Sequence, residues 1–87
     1  MAYKDEVYTI LLKAKRDIIE YTNKKVSNPE WTPFYNGIAE NLDDILVDYA
    51  IATKMSGKEL ITCYENLGAK KKDNVLHGTY ESIKMEM

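Results

Sequence analysis

Between Ile38 and Met55 the chain carries apolar residues on two sides of one helical period. At 3.6 residues per turn, Ile38, Leu42, Ile45, Leu46 and Tyr49 share a face. Val47, Ile51 and Met55 follow at i, i+4, i+8 on nearly the opposite side, with Glu40, Asp44 and Asp48 in register beside them. A helix that is apolar on two sides requires cover on two sides. This segment is therefore either central in its own fold or meets a partner.

The flanking segments read as helices too. From about Lys4 to Lys24, Val7, Leu11, Ala14, Ile18 and Tyr21 repeat at helical spacing, widened by Tyr8, Leu12 and Ile19 and edged by Ile10 and Tyr3. Asp5 and Glu6 in the first turn and Lys24-Lys25 at the end suit the helix dipole. The connection runs from Val26 to Thr32. Asn28-Pro29 and Thr32-Pro33 both read as an N-cap followed by Pro at the first helical position, so a short turn can start at Pro29 and the main second helix at Pro33. That helix continues to about Lys54, with Gly37 as a weak point, a kink or a close contact. Ser56 with Glu59 forms a capping-box pattern for a third helix, whose apolar face is Leu60, Cys63, Tyr64 and Leu67 and whose end is marked by Gly68. Leu76, Tyr80, Ile83 and Met87 fit a fourth helix capped by Asp73 or Asn74. Ile83, Met85 and Met87 also alternate as a strand would, but the helical template explains more of the segment.

With 87 residues the expectation is one helical domain over 1–87, burying about 60–65% of the surface its unfolded chain exposes, so that dimerisation would add useful stability. The formal charge of −2 argues against general affinity for nucleic acid or anionic membrane. One cysteine rules out an internal disulfide framework, and with one histidine it rules out a four-ligand zinc site of Cys and His. No apolar run approaches the ~20 residues of a membrane span, and no apolar leader follows Met1, so the expected compartment is the cytoplasm.

Three groups of residues stand out. Glu40, Asp43, Asp44 and Asp48 form an acidic side of the second helix, without EF-hand spacing or the Glu-x-x-His of a di-iron bundle. They read as a solvated face or as an electrostatic docking surface. Trp31, Phe34 and Tyr35 cluster at the entry of the same helix, as an aromatic plug on the bundle end or as interface anchors. Lys70, Lys71 and Lys72, with Lys13, Lys15, Arg16, Lys24 and Lys25, could assemble a positive patch. Gly68 between two helices suggests a helix-turn-helix, but the segment Asp73–Met87 holds one Lys, three acids and a single amide, Asn74, for reading a base edge. Cys63 on an apolar helix face reads as a buried thiol. His77 is the only histidine that could serve it as base. No nucleotide, hydrolase or metal motif occurs, so neither enzymatic activity nor a cofactor is expected.

The sequence thus predicts an all-α fold, a small antiparallel bundle of three to four helices. Its expected function is protein binding through Trp31, Phe34, Tyr35, Glu40, Asp44, Val47, Asp48, Ile51 and Met55, as an acidic inhibitor or adaptor on a basic partner surface such as a nucleic-acid-handling enzyme. By size and charge alone this is analogous to small phage or mobile-element inhibitors. A protein partner is expected, a homodimer is possible, and nucleic acid and membrane are not expected partners. A small DNA-binding regulator and a bacteriocin-immunity-like bundle are the alternatives.

Overall fold

A computed structural model describes residues 2–24 and 28–87. It contains α1 (Tyr3–Lys24), a 3-10 turn (Pro29–Trp31), α2 (Thr32–Ala52), α3 (Gly57–Asn66) and α4 (His77–Glu86). There is no strand among the described residues, so the all-α bundle read from the periodicity is what forms. Lys25 and Val26, part of the expected basic end and connection, lie outside the described residues.

Each start and stop has a local cause. Asn28 accepts a hydrogen bond from the Glu30 amide (3.0 Å) and caps the 3-10 turn, with Pro29 at its first position. Thr32 does not cap α2 as its place before Pro33 suggests. The chain passes from the 3-10 turn directly into α2, with Trp31 already near helical φ and ψ, so Thr32 lies inside the helix. α2 runs unbroken through Gly37, and a Cβ built there meets nothing within 4 Å, so Gly37 marks neither a kink nor a close contact. α2 ends before Lys54, which adopts left-handed φ (56°) while the Met55 amide reaches back to the Ala50 carbonyl (3.0 Å). This is a Schellman closure with lysine at the position glycine prefers. α3 opens with the expected capping box and closes at Gly68 (φ 77°), where the Ala69 amide reaches the Tyr64 carbonyl (3.2 Å).

α4 forms as a helix, but neither Asp73 nor Asn74 caps it. It begins at His77, because the Asn74 side chain is used inside the preceding turn: it accepts from the Leu76 amide (2.9 Å) and donates to the Leu67 carbonyl (3.0 Å).

The helices alternate in direction. α1 and α2 are antiparallel, tied by the Tyr49 hydroxyl donating to the Lys4 carbonyl (3.0 Å) at one end and by the Tyr21–Tyr35 ring contact at the other. α3 returns along α1, with Lys4–Glu59 (3.3 Å) near its start and the Arg16 guanidinium donating to the Leu67 carbonyl (3.3 Å) just past its end. α4 runs back along α3, held by the Tyr80 hydroxyl on Glu65 (2.7 Å) and by Met87 against Gly57. Tyr8, Leu12, Leu46, Cys63, Tyr64, Ala69, Leu76 and Tyr80 form the buried core.

The buried line of α1 is Tyr8, Leu12, Lys15 and Thr22, not the Val7–Leu11–Ala14–Ile18–Tyr21 line that its sequence suggests. α1 lies between α2 and α3, and the Tyr8–Leu12 side faces both. Val7, Leu11, Ala14 and Ile18 are half-buried, while Tyr3, Ile10 and Tyr21 face solvent. Lys15 is buried along its stem and places its ammonium on Asp43 of α2, as long cationic side chains do when they cross apolar surface.

Candidate functional site

α1 packs against both α2 and α3, and α4 packs on α3. Among the described residues α2 and α4 have no close backbone approach. The space between them is a groove of about 430 Å³. Leu46, Val47, Ala50, Ile51 and Lys54 of α2 and its end form one wall; Thr79 and Ile83 of α4 form the other. Met55, Leu60, Tyr64 and Tyr8 complete the lining.

This arrangement answers the question posed by the two-sided helix. The first stripe is only partly interior: Leu46 is buried, Ile38, Leu42 and Tyr49 are half-buried, and Ile45 is exposed. The second stripe is not covered by the described residues. Val47 is 58% and Ile51 71% exposed, and of the three only Met55 packs against the core. Within the described fold the helix is therefore not covered on both sides, and of the two alternatives a partner is the one left open. The reason is topological: α4 packs on α3 and leaves the α2 side of the slot vacant.

Tyr8 and Tyr64 lie in the groove's interior, their rings tilted against each other at 6.5 Å between centroids. Burial pushes both phenols up from their ordinary pKa, so they stay neutral. The lining thus carries a single formal charge, Lys54. Outside it, α2 holds four carboxylates and no cation from Thr32 to Ala52. Asp43 is matched by Lys15, whereas Glu40, Asp44 and Asp48 are exposed and form no ion pair among the described residues.

The aromatic group lies at the other end of the α1–α2 hairpin. Trp31, Phe34 and Tyr35 form a chain of edge-to-face contacts (5.9 and 5.8 Å between centroids), continued by Tyr21 of α1 at 5.8 Å from Tyr35. Trp31 is 52% and Phe34 60% exposed, so the rings are not a plug buried in the bundle end. The nine residues singled out by sequence divide into two places: Val47, Ile51 and Met55 with their acidic neighbours Glu40, Asp44 and Asp48, and Trp31, Phe34 and Tyr35 at the hairpin's far end. Sequence reading missed the groove's remaining lining. Leu60, Tyr64 and Ile83 read as core, Tyr8 as a stripe edge, and Thr79 carries no signal at all.

Several of the basic residues are paired with acids among the described residues. Lys13 and Arg16 are both paired with Asp17 (2.7 and 3.0 Å), and Lys70 lies 3.5 Å from Glu65. Cys63 is buried, its thiol donating to the Asp5 carbonyl (3.6 Å), and burial raises its pKa. His77 engages the Ala69 carbonyl through Nδ1 (2.9 Å). No three of His, Cys, Asp and Glu converge as metal ligands among the described residues, and no helix there is long and apolar enough to cross a membrane. Compared with protein-family models, curated proteins and solved structures, the chain matches none.

Proposed function

We propose that this chain is a protein-binding module that docks through α2 on a basic partner surface, acting as an inhibitor or adaptor. The carrying observation is the exposed Val47–Ile51 pair on a helix with four carboxylates and no cation. Apolar anchors supply affinity on desolvation, and unpaired carboxylates speed encounter with an oppositely charged surface. A nucleic-acid-handling enzyme offers such a surface, since its substrate groove is basic by necessity. A homodimer through this face has less support, because an isologous contact sets Asp44 and Asp48 near their own copies. We extend the reading to a cytoplasmic location, supported by the lone, buried, unpaired cysteine.

DNA reading by α4 has less support than protein binding. Ten residues (67–76) separate α3 from α4, against the three or four of a helix-turn-helix, and α4 itself places its one lysine, Lys84, over the Tyr80 ring. The test is affinity capture with the intact chain beside folded Ile51→Asp and Asp44→Lys/Asp48→Lys variants. The reading expects basic proteins retained by the wild type and lost from both variants. An identical captured set from all three baits refutes docking through α2. Retention of nonspecific duplex that weakens steeply with salt would favour the DNA reading instead.

A further inference from the structure

We infer that the α2–α4 groove receives an amphipathic α-helix of the partner, with apolar anchors on one face and Lys or Arg on the flank toward α2. This rests on the protein-binding reading and specifies what that partner presents. Among the described residues there is no sheet edge, so strand addition has no template, and a slot between two helices suits helix-in-groove docking. The slot is bounded by two helices that both lean on the α1–α3 layer without meeting each other, which is the vacancy a further helix fills in a bundle. The helical part of the α2 wall runs from Leu46 to Ile51, five residue steps or about 7.5 Å at 1.5 Å per residue, which matches a pair of anchors at i and i+4.

The occupant's charge follows from the rims. Val47 and Ile51 stand at the α2 edge, with Asp44 and Asp48 immediately outside them and Glu40 in line one turn upstream, none offset by a cation on the same helix, while Lys54, just past the helix end, sets the lining's one cation at the downstream end of this rim. A helix laid along this edge sets its flank against those carboxylates, so a basic flank is attracted and an acidic one repelled. The apolar lining has no buried carboxylate or amide to orient a compact polar ligand, and its α2 rim lies in solvent. Small-molecule sites instead enclose most of the ligand around a few placed polar groups.

The test uses the full ¹⁵N-labelled chain and two synthetic helical peptides of equal length and apolar face, one Leu/Lys and one Leu/Glu. The expected result is that the Leu/Lys peptide shifts the amides of Val47, Ile51, Lys54, Thr79 and Ile83. The Leu/Glu peptide should bind at least about tenfold more weakly at low salt, with the gap closing at high salt. Ile51→Asp, and separately Thr79→Trp at the exposed opposite wall, should each lower Leu/Lys affinity about tenfold or more with an unchanged fold. Shifts centred on Trp31–Tyr35, equal affinity for both peptides, no binding, or a dimer of the chain that dissociates on Ile51→Asp would each overturn the inference. If a captured partner depends on Asp44 and Asp48 but tolerates Thr79→Trp, docking through α2 stands and the helix in the groove is refuted.

Discussion

The openness of the groove can be tested with two substitutions of the same kind, Leu12→Ala and Ile51→Ala. Each removes most of a branched aliphatic side chain from a helix, and the two sites differ in how much of it the fold covers. Leu12 has no exposure, so its truncation costs lost transfer energy plus a cavity, about 2.7–5 kcal/mol. Ile51 is 71% exposed, so less than a third of it is covered. Against about 1.5–3 kcal/mol for fully burying an isoleucine, that leaves about 0.5–1 kcal/mol. Alanine's better helix propensity returns a few tenths of this. Urea unfolding of both variants should show Leu12→Ala lowering the midpoint strongly and Ile51→Ala barely moving it, with m unchanged in each. Thermally, at about 4–8 °C per kcal/mol for a chain of this size, the first should lose more than about 10 °C and the second at most a few degrees. If Ile51→Ala costs as much as Leu12→Ala, the slot is closed over Ile51 in solution and the docking argument loses its basis.

Other outcomes follow from single contacts. Gly37→Ala should stabilise the chain by about 0.5–1 kcal/mol in urea unfolding, since the helix is continuous there and the new methyl meets nothing; a loss would show a contact at that face. Asp43→Ala should cost more than Lys15→Met, about 1–2 kcal/mol against nearly nothing, because the first takes the carboxylate from the ammonium of a mostly buried side chain and the second keeps its apolar stem; equal losses would refute that asymmetry. Stability should fall at both pH extremes. Glu65, held below its ordinary value by the Tyr80 hydroxyl, and Glu59, held below by the Ser56 amide and hydroxyl, give stability that is present above about pH 4.5 and lost as pH drops through their lowered values. Tyr80, pushed up to about 12 by Glu65, gives stability present below pH 10 and lost between 10 and about 12. Tyr80→Phe should flatten the alkaline fall and weaken the acid one, and unchanged slopes would refute the Tyr80–Glu65 assignment.

What the sequence shows of this fold is what local chemistry controls. The capping box at Ser56, the left-handed Gly68 and the prolines near the start of α2 act within a few residues, and each helix announces itself by spacing. Facing directions are another matter. Val7, Leu11 and Ile18 look like the core line of α1, yet Tyr8 and Leu12 hold it, because the second partner on that side is α3, about fifty residues away. Lys15 reads as solvent-facing until Asp43 of α2 is set opposite. Lys54 in a left-handed turn has no sequence cue, since glycine or asparagine is the usual signal there. The groove is the clearest case. Its α2 wall is visible as a stripe, but whether α4 closes over that stripe depends on how α4 packs, through Tyr80 on Glu65 and Met87 on Gly57.

Isolated apolar residues on a surface need no explanation, because more than half of an ordinary protein surface is apolar. Val47 and Ile51 differ in two respects. Both are β-branched, so on an exposed helix they are weaker helix formers than the Lys, Glu or Ala that would also keep the position soluble. They contribute little core burial in return, being more exposed than covered. Both also border a continuous apolar recess instead of standing alone among charges, and a contiguous apolar surface of that kind on a small chain carries a solvation cost that folding does not offset. Glu40, Asp44 and Asp48 keep such a helix soluble while it is free, but mixed charges would do the same. A run of carboxylates without one cation over twenty-one residues adds self-repulsion along the helix, a cost that a basic partner would relieve on binding.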